Sequence, residues 1–122
     1  MSLLSELVER VKKETDPNEV GMILCHNGVV RGTSRAGESA SYLDISVDEE
    51  ALDRVLQEMQ SEQGIAAVHV HIYTGRRKVG DDVMLVVVAG DIRENVFPVL
   101  EKTVNRLKSE VVRKYEELIA QE

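Results

Sequence analysis

One stretch limits this chain more than any other: Val83-Met-Leu-Val-Val-Val-Ala89 is apolar from end to end. Successive side chains of a strand point to opposite faces, so a strand wetted on one side alternates apolar with polar residues. An unbroken apolar run of this length reads instead as a strand covered on both faces. The chain has 122 residues. That is enough for one domain with a real core, read as 1–122, and too little for two.

The remaining segments fall into place around that strand. Leu3, Leu4, Leu7, Val8 and Val11 share one helical face over 3–14, with charges opposite. Asp16-Pro17-Asn18 stops that helix. Val20–Arg31 is apolar and β-branched, interrupted by His26-Asn27-Gly28, which signals either a tight turn or a bulge in one bent strand. Gly32–Ser41 is a polar Gly/Ser-rich loop. Leu43, Ile45 and Val47 line one face of a strand over 42–47. Ser46-Val-Asp-Glu49 fits a capping box opening a helix that points Ala51, Leu52, Val55, Leu56 and Met59 inward and ends near Gly64. Ile65–Tyr73 is a strand and Gly75–Asp82 a basic turn. A last helix carries Val96, Val99, Leu100, Leu107 and Val111 at helical spacing. Pro98 is harmless only in a first turn, so the spacing predicts a start close to Glu94–Val96. The order is α-β-β-α-β-β-α, without repeat or linker. It describes an α+β domain with a mainly antiparallel sheet.

Composition excludes several functions. The net charge of −7 argues against a nucleic-acid binder, which needs a basic face to neutralise phosphates. No segment reaches the ~20 apolar residues of a membrane span. Glu6, Glu9 and Arg10 follow Leu3 and Leu4 too closely for a secretory signal, so the expected location is cytoplasmic. Cys25, the single cysteine, sits in the run Met22-Ile-Leu-Cys and reads as a small core residue.

His69 and His71 stand one residue apart, on one face of their strand. Two imidazoles fall short of the three or four ligands that zinc takes, and His26 is the one further histidine. The simpler reading is a polar, partly solvated sheet face, with no metal.

Five stretches carry a resemblance when taken in order: "GVVRGTS" (28–34), the helix after "SVDEE", "TGRRKVGDD" (74–82), "VVVAGDIRENVF" (86–97) and "NRLKSEV" (105–111). Together they resemble the large, catalytic subunit of molybdopterin synthase, from about Val20 to about Glu117. The resemblance implies an α/β hammerhead-like fold and a role in molybdenum cofactor biosynthesis. It implies sulfur transfer from a thiocarboxylate to cyclic pyranopterin monophosphate, forming the molybdopterin dithiolene. The sulfur donor is a small ubiquitin-like subunit ending in Gly-Gly, the large subunit forms a homodimer, and no cofactor is held.

Residue by residue, the family's Val-Arg falls on Val30-Arg31, and its His-Arg before the last helix on Ile92-Arg93. An arginine's planar, permanently charged fork suits an anionic substrate. The family's first active-site lysine falls on Lys108, eleven residues after Phe97. A lysine beside an anionic substrate serves as acid, base or covalent amine. The resemblance therefore makes Lys108 catalytic and Arg31 and Arg93 substrate-binding, gathered in one pocket. The family's His-Arg-any-Gly reads Ile72-Tyr73-Thr74-Gly75 here. Its second lysine falls on Tyr115, with Lys114 one place away as a further substrate-binding candidate. The family's proline is missing there, and the last helix is expected to run on through Glu117. Arg76-Arg77-Lys78 reads either as an anion-attracting rim or as a charged turn protecting a sheet edge. The losses at Ile72-Tyr73, Ile92 and Tyr115 leave an alternative: a catalytically degenerate member that binds a pterin phosphate or a ubiquitin-like partner without turnover.

Overall fold

The computed structural model describes residues 2–32 and 40–118. The elements are α1 (Leu3–Glu14), β1 (Met22–Val29), β2 (Ala40–Val47), α2 (Glu49–Gln60), β3 (Ile65–Ile72), β4 (Gly75–Lys78), β5 (Asp82–Gly90), α3 (Arg93–Arg106), a π-helical segment (Leu107–Val111) and β6 (Val112–Leu118). The strands form two three-stranded sheets, in the orders β1-β5-β3 and β4-β2-β6. All pairings are antiparallel. The α+β class with antiparallel sheets is as expected; β4 and β6 are additions to the predicted order. The loop read over 32–41 falls largely on 33–39, outside the described residues.

β5 occupies the centre of the first sheet, and both its faces are covered. Leu85, Val87 and Ala89 pack with Leu7 and Val11 of α1 and with Ala67. Met84, Val86 and Val88 pack with Val55 and Met59 of α2 and with Val96 and Val99 of α3. Burying each such aliphatic side chain contributes about 1.5–3 kcal/mol, so this strand anchors the domain. β1 runs unbroken through His26-Asn27-Gly28, with a register shift between Gly28 and Val29; the bulge, not the turn, is what forms.

Four expectations need correction. The last helix does not reach Glu117. It widens into the π-helical segment, and at Val112 the chain turns extended and pairs with Val47 as β6. Val112 is β-branched, and the neighbouring β2 offers it a ladder partner in Val47. The cap of α2 is Asp48, whose carboxylate accepts from the Ala51 N–H at 3.1 Å, and not Ser46. α3 begins at Arg93, so Pro98 lies inside the helix, on its exposed side, beyond the first turn. Cys25 is exposed. It alternates with the inward Leu24 and lies past the cover that α1 gives to Ile23.

Candidate anion site at one end of the central sheet

β5 fixes which candidates can meet. Its partner β1 runs the other way, so Met22 faces Gly90 and Val29 faces Asp82. Arg31 follows Val29 and therefore leaves the sheet at the Asp82 end. Arg93 follows Gly90 and opens α3 at the opposite end. The strand between them spans roughly 26 Å at ~3.3 Å per residue. Within one chain Arg31 and Arg93 do not share a pocket, contrary to the expectation from sequence.

Lys108 sits with Arg31. α3 starts against Gly90, where a β-carbon would come within 2.7 Å of the Val96 side chain. It then runs back along the sheet, about 22 Å from Arg93 to Lys108 at ~1.5 Å per residue, which matches the length of β1. Its far end is tied at the Arg31 end. Leu107 and Val111 are fully buried, the Asp48 N–H donates to the Val111 carbonyl at 2.9 Å, and Val112 packs against the cluster of Val30, Leu43 and Ile45. Lys108 itself is exposed beside the buried Leu107.

The segment bearing Lys108 is clamped. The Arg106 guanidinium donates to both Glu110 oxygens, at 2.7 and 3.0 Å, and also to Glu58 of α2. Those bonds hold the Glu110 carboxyl below its ordinary range and hold Arg106 protonated. Short π-helical segments are frequent at functional sites, because the extra residue re-aims the side chains around it.

Lys114 joins from the second sheet. In β6 it pairs with Ile45, and Val112 pairs with Val47. Paired residues share a face, so Lys114 lies on the face of Leu43 and Ile45, which pack with Val30 beside Arg31. Position 115 pairs with Asp44. Aligning the sequence by spacing alone puts Tyr115 at the family's second lysine; the strand register instead sets Lys114 level with Ile45, where its side chain is exposed.

His26 was visible in the sequence only as a conceivable third metal ligand. It lies on the α3 face of β1, in register with Met22 and Leu24, which pack with that cluster. Its Nε2 would be 3.3 Å from a β-carbon at Gly28, so the ring leans toward the Arg31 end. Burial, and then the charge of Lys108, push its pKa down. The signal for this was present: His26 and Gly28 alternate with Leu24 in the strand that leads to Arg31.

The other candidates go elsewhere. His69 and His71 lie on the α1 face, opposite His26, so the three histidines do not converge. His69 pairs with Glu14 of α1 at 2.8 Å, and His71 packs edge-on against Tyr73 at 4.5 Å. Arg76 lies 3.9 Å over the Tyr42 ring and Arg77 4.8 Å over Tyr73, with the Arg77 Nε–H donating to the Asp82 carbonyl. They form the edge strand β4, as the edge-protecting reading requires. Arg93 makes a long, exposed contact to Glu94 at 3.4 Å. Among the described residues, Arg31, Lys108 and Lys114 have no ion-pair partner, and three uncompensated cations at one end of an acidic chain suit an anion.

The comparisons give the family and the fold. The chain spans less than half of a Haloferax volcanii relative described as a probable molybdopterin synthase: it is 32% identical over 115 residues, which is 88% of this chain and 43% of that protein. Molybdopterin synthase from Staphylococcus aureus superposes with a TM-score of 0.75 at 18% identity, over 93% of this chain and 85% of that one. A complex of subunits 1 and 2 of the molybdopterin-converting factor from Helicobacter pylori contains a chain that superposes at 0.71 with 16% identity, over 99% and 85%. At those identities the structures speak for the fold alone. The MoaE protein family matches residues 3–110, which takes in β1, Arg31, Arg93 and Lys108, and the chain belongs to that family.

Proposed function

We propose that this chain is the large, catalytic subunit of a molybdopterin synthase. It takes sulfur from the C-terminal thiocarboxylate of a small ubiquitin-like subunit and delivers it to cyclic pyranopterin monophosphate, as one step of molybdenum cofactor biosynthesis in the cytoplasm. The observation that carries this reading is the placement of Arg31, Lys108 and Lys114 at one end of the sheet, without acidic partners among the described residues, in a chain of this family. Arg31 and Lys114 hold the phosphate-bearing substrate, and Lys108 is the amine at the reacting centre.

Arg93 enters from a second copy. It lies at the far end of its own sheet, beside Ile92 and Phe97, which are 52% and 54% exposed. The Arg31 end carries Val29 and Val79, 54% and 49% exposed. A two-fold dimer that brings one end of each copy to the other end of its mate covers both apolar pairs. It also sets Arg93 of one copy beside Arg31 of the other, which recovers the expected arginine pair in a different way.

Reconstitution with a thiocarboxylated small subunit and the pyranopterin precursor tests the function directly. Wild type should form the dithiolene, and Lys108→Ala should abolish it with an unchanged fold, because a helix tolerates alanine well. Arg31→Ala and Arg93→Ala should each be inactive. Mixed and re-equilibrated, they should recover about a quarter of wild-type activity, because half of the dimers are mixed and each of those has one intact site. No recovery on mixing removes the shared site.

A degenerate, binding-only member is the second reading, favoured by the exposed Ile92 at the family's histidine position. It prevails if a competent small subunit yields no dithiolene while the pterin phosphate still binds and Arg31→Ala removes that binding.

A further inference from the structure

We propose that His26 is a further ligand-contacting residue of this site: together with Lys108, its imidazole holds the phosphate group of the ligand and takes up a proton as that anion binds. The inference rests on the anion-site reading above and adds a residue and a proton to it. Three observations place His26 there. It projects from the α3 face of β1, the face against which the segment bearing Lys108 is packed. Its ring leans over Gly28, the one position on that face with no side chain to block it, and so points along β1 toward Arg31. Among the described residues neither ring nitrogen has a hydrogen-bond partner, and the ring is only partly buried, so a ligand can reach it.

The surroundings set its charge. On β5 it pairs with Val86 and neighbours Met84, and the α3 side chains packed against the core on this face of the sheet, Val96 and Val99 with the partly buried Leu100 and Val104, are all apolar. The charged neighbours are Lys108 and, beyond Gly28, Arg31. Burial first and the Lys108 charge second hold the ring below the ordinary histidine value of 6.5, so without a bound anion it is neutral at neutral pH. A phosphate between Arg31, Lys108 and His26 reverses that balance, because an opposite charge nearby favours the protonated imidazole. The proton comes from solvent. The imidazolium then donates a charge-assisted hydrogen bond to a phosphate oxygen. Capture of the phosphate group is thereby coupled to proton uptake and strengthens as pH falls from 8 to 6.

The test is a proton NMR titration of the histidine Cε1–H signals of the full chain, with and without inorganic phosphate. His69 and His71, on the opposite face, serve as internal controls. Phosphate should raise the His26 midpoint and leave the other two unmoved. Lys108→Ala should raise that midpoint in the phosphate-free protein. His26→Phe, which keeps a ring of similar size, should weaken phosphate binding about tenfold at pH 6 and much less at pH 8. His26→Gln, which hydrogen-bonds without titrating, should retain part of the affinity and lose its pH dependence. If phosphate shifts the Arg31 Nε–H signal and not His26, the assignment of His26 is wrong and the anion site stands. If phosphate shifts neither, the anion site falls and His26 with it.

Discussion

Lys114 owes its place to the alternation of one strand, and that can be tested by moving it. Position 114 shares a face with Ile45, whereas position 115 shares one with Asp44. Lys114→Ala should weaken pterin-phosphate binding about tenfold, the scale of one charge-assisted hydrogen bond. Adding Tyr115→Lys to that variant restores the spacing seen in the family but puts the lysine on the wrong face. Affinity measured by calorimetry should stay low; recovery would mean that β6 does not fix the site. His26 offers a second measurement at the same scale. Its folded pKa lies below the ordinary 6.5, so below that value the unfolded chain binds a proton that the native site resists. Stability should therefore be full above pH 6.5 and decline as pH falls through the folded value. His26→Phe should flatten that decline in urea melts run between pH 7 and pH 5.

Junctions between elements separate what was legible in the sequence from what was not. The apolar run of β5, the stripe of α1 and the shared face of His69 and His71 follow from local periodicity, and all three form as read. The end of the last helix does not. Local propensity favours continuing past Val111, and what stops it is β2, more than sixty residues earlier, offering an edge to pair with. The separation of Arg31 from Arg93 was hidden for the same reason: it depends on the direction of β1 against β5, a non-local pairing. Spacing could place each residue on its element but not at one end of it. The β5–α3 junction shows how tightly such a connection is built. A methyl on Gly90 would lie 2.5 Å from the Gly64 carbonyl and 2.7 Å from the Val96 side chain. One neighbour is backbone and the other is fully buried, so neither gives way easily. Gly90→Ala should cost about 1–3 kcal/mol of stability, measured as a lower midpoint in urea. It should also disturb the start of α3, where Arg93 stands.

Viewed as a whole, the molecule has two unlike ends joined by one sheet. One end gathers Arg31, Lys108, Lys114 and His26 beside the exposed Val29 and Val79; the other presents Arg93 beside Ile92 and Phe97. A free monomer would leave both apolar pairs in water, and Arg93 far from any other candidate. An isologous dimer resolves both problems at once, because every contact between the two ends occurs twice. Phe97 is the place to break it, being large, apolar and 54% exposed on the second turn of α3. Phe97→Asp adds a charge where the mate's apolar pair must pack. Within its own chain the residue is largely solvated, so the fold should lose little stability. Sedimentation should then show dimer for wild type and monomer for Phe97→Asp at micromolar concentration. Dithiolene formation should fall with the loss of dimer, since Arg93 is withdrawn from the other copy's site, while the His26 Cε1–H signal should still respond to phosphate. A monomeric Phe97→Asp variant with full activity would show that one chain is enough, and that Arg93 plays no part in the site.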